Sequence, residues 1–263
     1  MKLFLLTGLL LVAGCSTNVL EDKTGALLFT ANGEDFVRQG FVSEDGWSIA
    51  FDSVIVNVEG PTAYQVVEST SRALRHGGHP HENIPEGSAH VALTGGYLLQ
   101  LTQHPLELGS VEDAPIGNYN RMAFNVRPAA SGHSIELAGH ASKDSTEVEF
   151  AIHISEELDY SDCGPNGTAG VLAEGGQAYA EMTFHFDHIF GDFDEGDPDP
   201  EDPTMINYLA VGFQPFADLA GAHGVLDVDQ ERLGQEMTGT TYLQLIEAVR
   251  TLGHSGEGHC LLN

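Results

Sequence analysis

The segment TFHFDHIFGD, residues Thr183–Asp192, determines the fold that we expect around it. Its first half alternates, so the phenylalanines share one face of an extended strand whose side chains repeat every two residues. The opposite face carries His185 and Asp187, and His188 follows where the strand is expected to end. Gly191 allows a bend nearby. The segment therefore predicts a half-buried β-strand that ends in imidazoles and carboxylates.

Earlier segments predict further strands of the same kind, separated by turn signals. They are Gly25–Thr30, Trp47–Val58, Ala89–Leu93, Tyr97–Thr102, Tyr119–Val126, Ser134–Leu137 and Glu147–Ile154. The alternation changes phase at Asp52-Ser53, which predicts a β-bulge in one long strand. Short alternating strands at this spacing are typical of an antiparallel β-sandwich, which we expect over residues 25–192.

Helical periodicity replaces the alternation toward the C-terminus. It predicts a helix over Met205–Ala222 that Pro215 interrupts, a turn of helix over Asp229–Leu233, and a helix over Thr240–Leu252 that Gly253 ends. We expect an acidic loop and a helical region over 193–263, packed on one end of the sandwich as part of the same domain.

The first residues predict where the protein resides. The apolar run Leu3–Val12 is shorter than the ~20 residues that span a bilayer, so it indicates a signal segment. Residues 11–15, Leu-Val-Ala-Gly-Cys, resemble the lipobox of bacterial lipoproteins. The resemblance implies a signal peptide over 1–14, lipid on Cys15, a tether over 15–24 and anchoring in the cell envelope, at the periplasmic face or surface of the outer membrane. The alternative is a cleaved secretory peptide with an incidental cysteine.

The charge balance excludes one class of partner. Ten lysines and arginines face 39 acidic residues, for a net charge of −29. Such a surface repels nucleic acid and concentrates cations. Adaptation to a salt-rich habitat explains the same balance equally well, because salt screens the repulsion.

Three cysteines are present. With Cys15 lipidated, Cys163 and Cys260 remain in an oxidising compartment, so we expect a disulfide that pins the C-terminal tail onto the body of the protein. The alternative is a pair of free thiols that bind copper or zinc.

Thirteen histidines, mostly in clusters, predict a metal site. The candidate ligands are His76, His79 and His81 in one loop, His185, His188, Asp187 and Asp192 in the opening segment, and His254 and His259 in the tail. We expect the 79–81 and 185–188 histidines to share one ion, with Asp187 orienting an imidazole. His153 could lie beside His185 across an antiparallel pair if the register permits.

Imidazole and carboxylate ligands suit Zn²⁺, with Cu²⁺, Ni²⁺ and Co²⁺ close behind. The acidic stretch 192–202 is either a loose Ca²⁺ site or a solvated linker, and it lacks the EF-hand pattern.

The sequence thus predicts a lipid-anchored, extracytoplasmic zinc-binding protein for capture, buffering or hand-over, with a metal transporter or receptor as partner. The alternative is a surface adhesion or scaffold module whose histidines are incidental. No nucleophile elbow, His-Glu-x-x-His, phosphate loop or dinucleotide fingerprint is present, so the sequence does not predict an enzyme. A zinc ion with three protein ligands and an open position is the one catalytic alternative.

Overall fold

The computed structural model describes residues 23–67, 84–103, 105–164, 169–195, 206–256 and 258–262. The described part of the chain is mainly β, with 50% strand and 21% helix. Several predicted features lie outside the described residues: the signal peptide, Cys15, most of the tether, His76, His79, His81 and residues 196–202 of the acidic loop.

The described strands are numbered along the chain. They are β1 (Thr24–Asn32), β2 (Phe41–Val42), β3 (Ser48–Gln65), β4 (Ala89–Ala92), β5 (Gly96–Gln100), β6 (Leu106–Pro115), β7 (Gly117–Asn118), β8 (Arg121–Val126), β9 (Ile135–Lys143), β10 (Thr146–Ile154), β11 (Leu158–Cys163), β12 (Val171–Leu172), β13 (Gln177–Phe184), β14 (Val225–Asp229), β15 (Gly253–Ser255), β16 (Gly258–His259) and β17 (Leu261–Leu262).

The described helices are short. They are α1 (Glu34–Gln39), α2 (Asp187–Phe190), α3 (Gln214–Ala220), α4 (Gln230–Glu236) and α5 (Gly239–Arg250), with 3-10 turns at Phe193–Glu195, Ile206–Tyr208 and Gly221–His223. None of the helices in these described ranges is long and apolar enough to cross a bilayer.

Two large sheets contain most of the strands. The five-stranded sheet has the order β16-β15-β13-β1-β6, and the ten-stranded sheet follows the path β14-β10-β9-β3-β8-β11-β17, with β2, β4 and β5 also paired to β3. The long strand β3 pairs with β9 and then β8 along one edge. Its register with β9 shifts between Phe51 and Ser53, where the change of phase predicts a bulge. The structure confirms that prediction.

The expectation of purely antiparallel sheets is wrong at two places. β1 pairs in parallel with β13, and β10 pairs in parallel with β14. Parallel neighbours need a long crossover connection, and in both pairs more than 60 residues separate the partners along the chain. Short strands separated by turn signals indicate antiparallel neighbours, so this pattern does not predict parallel pairs between distant strands.

A cluster of phenylalanines joins the ten-stranded sheet to the helices. Phe150 of β10 lies 5.2 Å from Phe213, and Phe190 of α2 lies 6.0 Å from Phe213, both measured between ring centroids. All three are buried. Truncating such a ring to alanine typically costs about 3–5 kcal/mol, so this cluster is a main determinant of how α2 is held.

The C-terminal region differs from the helical prediction in three ways. Pro215 lies in the first turn of α3 rather than interrupting a longer helix, a position where its missing N–H costs little. Gly253 begins a strand instead of ending α5. The same region also contributes strands β14–β17, which are too short to show a period in the sequence.

Candidate metal centre

Three histidines from two distant parts of the chain meet at one end of the five-stranded sheet. His185 follows the last residue of β13, His188 lies in α2, and His254 lies in β15. Each offers one ring nitrogen, and the three nitrogens lie within 4.8 Å of one another. The rings of His185 and His254 stack with centroids 3.9 Å apart, and the ring of His188 lies 5.1 Å from that of His254. The central cluster and the tail cluster are therefore joined in space.

The end of β13 positions the first two imidazoles. The backbone N–H of His185 donates to the carbonyl of Leu252 at 3.1 Å, which fastens the strand end to the segment before β15. The backbone N–H of His188 donates to the carbonyl of His185 at 3.2 Å. This turn replaces the strand period, so side chains three residues apart come to the same side. This bend brings His188 beside His185.

A short hairpin of β15 and β16 brings the third imidazole. β15 pairs antiparallel with β13, which places His254 opposite Thr183, and β16 places His259 opposite His254. The next residue, Cys260, lies at disulfide distance from Cys163 of β11, with sulfurs 2.04 Å apart. The predicted pairing of these cysteines is confirmed, and it holds the hairpin against the ten-stranded sheet.

Only glycine fits at the start of this hairpin. A Cβ at Gly253 would lie 2.7 Å from the ring of Tyr160, closer than real Cβ contacts. Tyr160 is itself buried, and its hydroxyl donates to the carbonyl of Val249 at 3.3 Å. The close approach of backbone and ring sets the depth at which His254 enters the protein.

Hydrogen bonds around Thr251 fix the tautomers of two rings. The Thr251 hydroxyl donates to the carbonyl of Ala248 at 2.8 Å, so its oxygen accepts from Nδ1 of His188 at 2.9 Å, and the lone pair of His188 is on Nε2. Nε2 of His254 donates to the carbonyl of Thr251 at 3.2 Å, which leaves the lone pair on Nδ1. Within the described residues that buried Nδ1 has no hydrogen-bond partner.

Glu34 contacts one histidine of this group and was not a predicted ligand, although its carboxylate, like that of Asp187, lies outside the group of three among the described residues. Nε2 of His185 is buried and lies 3.4 Å from Oε1 of Glu34, without hydrogen-bond geometry to any described group. Glu34 begins α1 with a φ of +60°, which is uncommon for a residue other than glycine. Its backbone N–H donates to Oδ1 of Asn32 at 2.9 Å. Strained backbone of this kind is frequent at functional sites. It is visible only in the folded chain, so the sequence alone does not point to Glu34.

Burial keeps the three imidazoles neutral. It lowers the pKa of His185 to about 4, that of His188 to about 3 and that of His254 to about 2, and the neighbouring imidazoles add to the effect. All three rings are therefore uncharged near pH 7, and neutral imidazole is the form that binds metal ions.

Comparison of the chain with protein-family models, curated proteins and solved structures finds no match.

The donor set fits a zinc ion. Two ligands bound at 2.0–2.1 Å in a tetrahedral site lie about 3.3–3.4 Å apart, and Nε2 of His185 and Oε1 of Glu34 are 3.4 Å apart. The three ring nitrogens, within 4.8 Å of one another, reach the same spacing by small ring movements. Three imidazoles and one carboxylate are ligands of intermediate softness, which suits Zn²⁺ and its neighbours Cu²⁺, Ni²⁺ and Co²⁺.

The other predicted ligands have different positions. His259 is exposed at the rim, with its ring centroid 4.3 Å from that of His254. Asp187 is buried at the start of α2 and lies outside the group of three among the described residues. Asp192 caps a local turn, because its carboxylate accepts the backbone N–H of Asp194 at 2.9 Å. The sharing of an ion with His79 and His81 stays a prediction.

The strand pairing does not place His153 beside His185. His153 lies in β10 of the ten-stranded sheet, directly opposite Glu136 of β9, whereas His185 lies at the end of the five-stranded sheet. The neighbour strands of β10 are β9 and β14.

Proposed function

We propose that this protein binds a transition-metal ion, zinc by preference, through His185, His188 and His254, with Glu34 as the fourth ligand. The observation that carries the proposal is the convergence of three buried, neutral imidazoles, of which Nε2 of His185 and Nδ1 of His254 are buried and have no hydrogen-bond partner among the described residues. An unsatisfied buried polar group costs roughly 1–3 kcal/mol, so the fold retains an arrangement that is unfavourable without a ligand. A bound ion would satisfy all these atoms at once.

The proposed site is closed, which favours holding the ion over catalysis. Four protein ligands fill a tetrahedral zinc site, whereas catalytic zinc keeps a position open for water or substrate. Glu34 would fill that position. His259, exposed beside His254, offers a ligand through which an ion could enter or leave. Capture, buffering or hand-over of zinc to a transporter or receptor is the role that fits this arrangement.

The proposal extends to location and architecture. The lipobox-like leader supports a lipid anchor on Cys15 in the bacterial envelope, and the paired cysteines suit an oxidising compartment. We also propose that the two large sheets face each other as a sandwich with the helices at one end. The contact of Phe124 in β8 with Phe184 in β13, 5.7 Å between centroids, supports that packing.

Metal analysis of purified protein tests the proposal. The chain is stripped with chelator, dialysed against zinc chloride and assayed by mass spectrometry, alongside His185→Gln plus His188→Gln. We expect the double variant to lose one tightly bound zinc per chain. The matched control is His90→Gln plus His140→Gln, which changes two exposed rings and should bind as the wild type does.

Two results would contradict the proposal. One is unchanged zinc binding in the His185/His188 variant. The other is wild-type protein that holds no metal and whose melting temperature does not rise with zinc, which is what an adhesion or scaffold module with incidental histidines predicts.

A further inference from the structure

We infer that the protein has a second metal site, open to solvent, at His133, Glu136 and His153. One ligand atom from each of the three side chains lies within 4.8 Å of the other two. The site is on the ten-stranded sheet and shares no residue with the buried centre. It therefore does not depend on the proposed function of that centre.

Strand pairing and a turn bring the three side chains together. His153 of β10 lies directly opposite Glu136 of β9, and opposite residues of an antiparallel pair project on the same side. His133 precedes β9 in a turn that is closed by the N–H of Ala129 donating to the His133 carbonyl at 2.8 Å. The ring of His133 stacks on that of His153 with centroids 4.7 Å apart.

The hydrogen bond of His153 to Asp227 determines which ring nitrogen carries the lone pair. Its Nε2 lies 3.3 Å from Oδ1 of Asp227 and donates to it, so the lone pair is on Nδ1. That Nδ1 is buried and has no hydrogen-bond partner in the part of the chain that the structure describes. A carboxylate that holds the far nitrogen of an imidazole is the arrangement by which proteins orient metal-binding histidines.

The carboxylate of Glu136 is also held in place. Its Oε1 accepts a hydrogen bond from Oγ of Ser131 at 2.8 Å and lies 3.6 Å from Nδ1 of His133. That last separation is close to the roughly 3.3–3.4 Å between two ligands of one tetrahedral zinc ion. The side chains of His133, Glu136 and His153 are only 24–30% exposed, so much of their freedom is already lost before an ion binds.

Two imidazoles and one carboxylate define the class of ion. They suit a divalent cation of intermediate softness, Zn²⁺ first and then Cu²⁺, Ni²⁺ or Co²⁺. The three side chains leave at least one tetrahedral position to water. The ion at this site should therefore exchange more readily than one at the closed centre.

Zinc titration of the chelator-stripped wild-type chain tests this inference. Isothermal calorimetry gives the stoichiometry, and long-range ¹H–¹⁵N spectra of the histidine rings identify which rings respond to zinc chloride. We expect His133→Gln plus His153→Gln to bind one zinc fewer than wild type while the signals of His185, His188 and His254 still shift. We expect Asp227→Asn, which keeps an acceptor but removes the charge, to weaken this site about tenfold.

The outcomes separate the two sites. Unchanged stoichiometry in the His133/His153 variant, or wild-type ring signals of these two histidines that do not respond to zinc, would overturn the second site and leave the buried one standing. Loss of one zinc in the His133/His153 variant alone, with unchanged stoichiometry in the His185/His188 variant, would support the second site and overturn the buried one. The exposed pair His90→Gln plus His140→Gln again serves as the control, and it should bind as wild type does.

Discussion

Lowering the pH from 8 to 5 should destabilise the metal-free protein through its three buried imidazoles. Burial lowers the pKa of His185 to about 4, of His188 to about 3 and of His254 to about 2, whereas an unfolded chain gives each a pKa of about 6.5. Below pH 6.5 the unfolded chain takes up protons that the folded chain cannot. The free energy of unfolding therefore falls as the pH falls through about 6.5 toward the folded pKa values.

The loss in unfolding free energy at pH 5 follows from the histidine pKa in the unfolded chain alone, because the folded rings stay mostly neutral at that pH. At pH 5 each ring favours unfolding by about 2 kcal/mol, because the pH lies about 1.5 units below 6.5 and each unit corresponds to 1.36 kcal/mol. Three rings give roughly 6 kcal/mol, a large part of the 5–15 kcal/mol that stabilises most domains. Glu181 opposes this trend, because burial raises its carboxyl pKa, and the folded chain then gains protons first.

Urea denaturation measures the effect, with the single tryptophan, Trp47, as a buried fluorescent probe. The free energy of unfolding is compared between pH 8 and 5 in chelator, at a salt concentration that screens the net charge. His254→Asn should remove about a third of the decline, while His90→Asn, at an exposed ring, should leave it intact. Zinc should shift the decline to lower pH, because bound ions compete with protons. A free energy of unfolding that stays constant or rises between pH 7 and 5 in the metal-free wild type would show that the buried imidazoles do not control its pH dependence.

Three further predictions concern single contacts. Glu34→Gln should weaken zinc binding about tenfold in calorimetry, because Oε1 lies 3.4 Å from Nε2 of His185; unaltered affinity would remove Glu34 from the site. Gly253→Ala should lower the free energy of unfolding by about 1–3 kcal/mol in urea, since its Cβ would meet the Tyr160 ring, whereas Gly239→Ala, in open space, should not. Cys163→Ser plus Cys260→Ser should cost about 4–5 kcal/mol in the same assay, because the bond closes a loop of 97 residues, and a loss below 1 kcal/mol would contradict this.

The long strands could be predicted because their side chains report the period directly. The alternation of β3 and its change of phase at Asp52-Ser53 give both the strand and its bulge. Strands β15–β17 have two or three residues each, which is too few for any period. Their place in the sheets is fixed by pairing with β13 and β11. The local sequence does not specify which strands pair.

The sequence predicts which residue types form the candidate site, but it does not predict which of those residues come together. His185 and His188 follow from the end of an alternating strand, and the tail histidines follow from their spacing. That His254 completes the group depends on the register that puts it opposite Thr183, and register is a tertiary property. Glu34 is a lone glutamate in the sequence, and only the folded backbone brings it to His185.

At the proposed metal centre, the bond between Cys163 and Cys260 would make metal uptake conditional on the redox state of the surroundings. Cys260 directly follows β16, so the bond anchors the hairpin that carries His254. A newly made copy in a thiol-rich cytosol would lack this anchor and would present only the two imidazoles beside β13 firmly. At the proposed centre, such a copy would bind zinc less tightly than the oxidised protein.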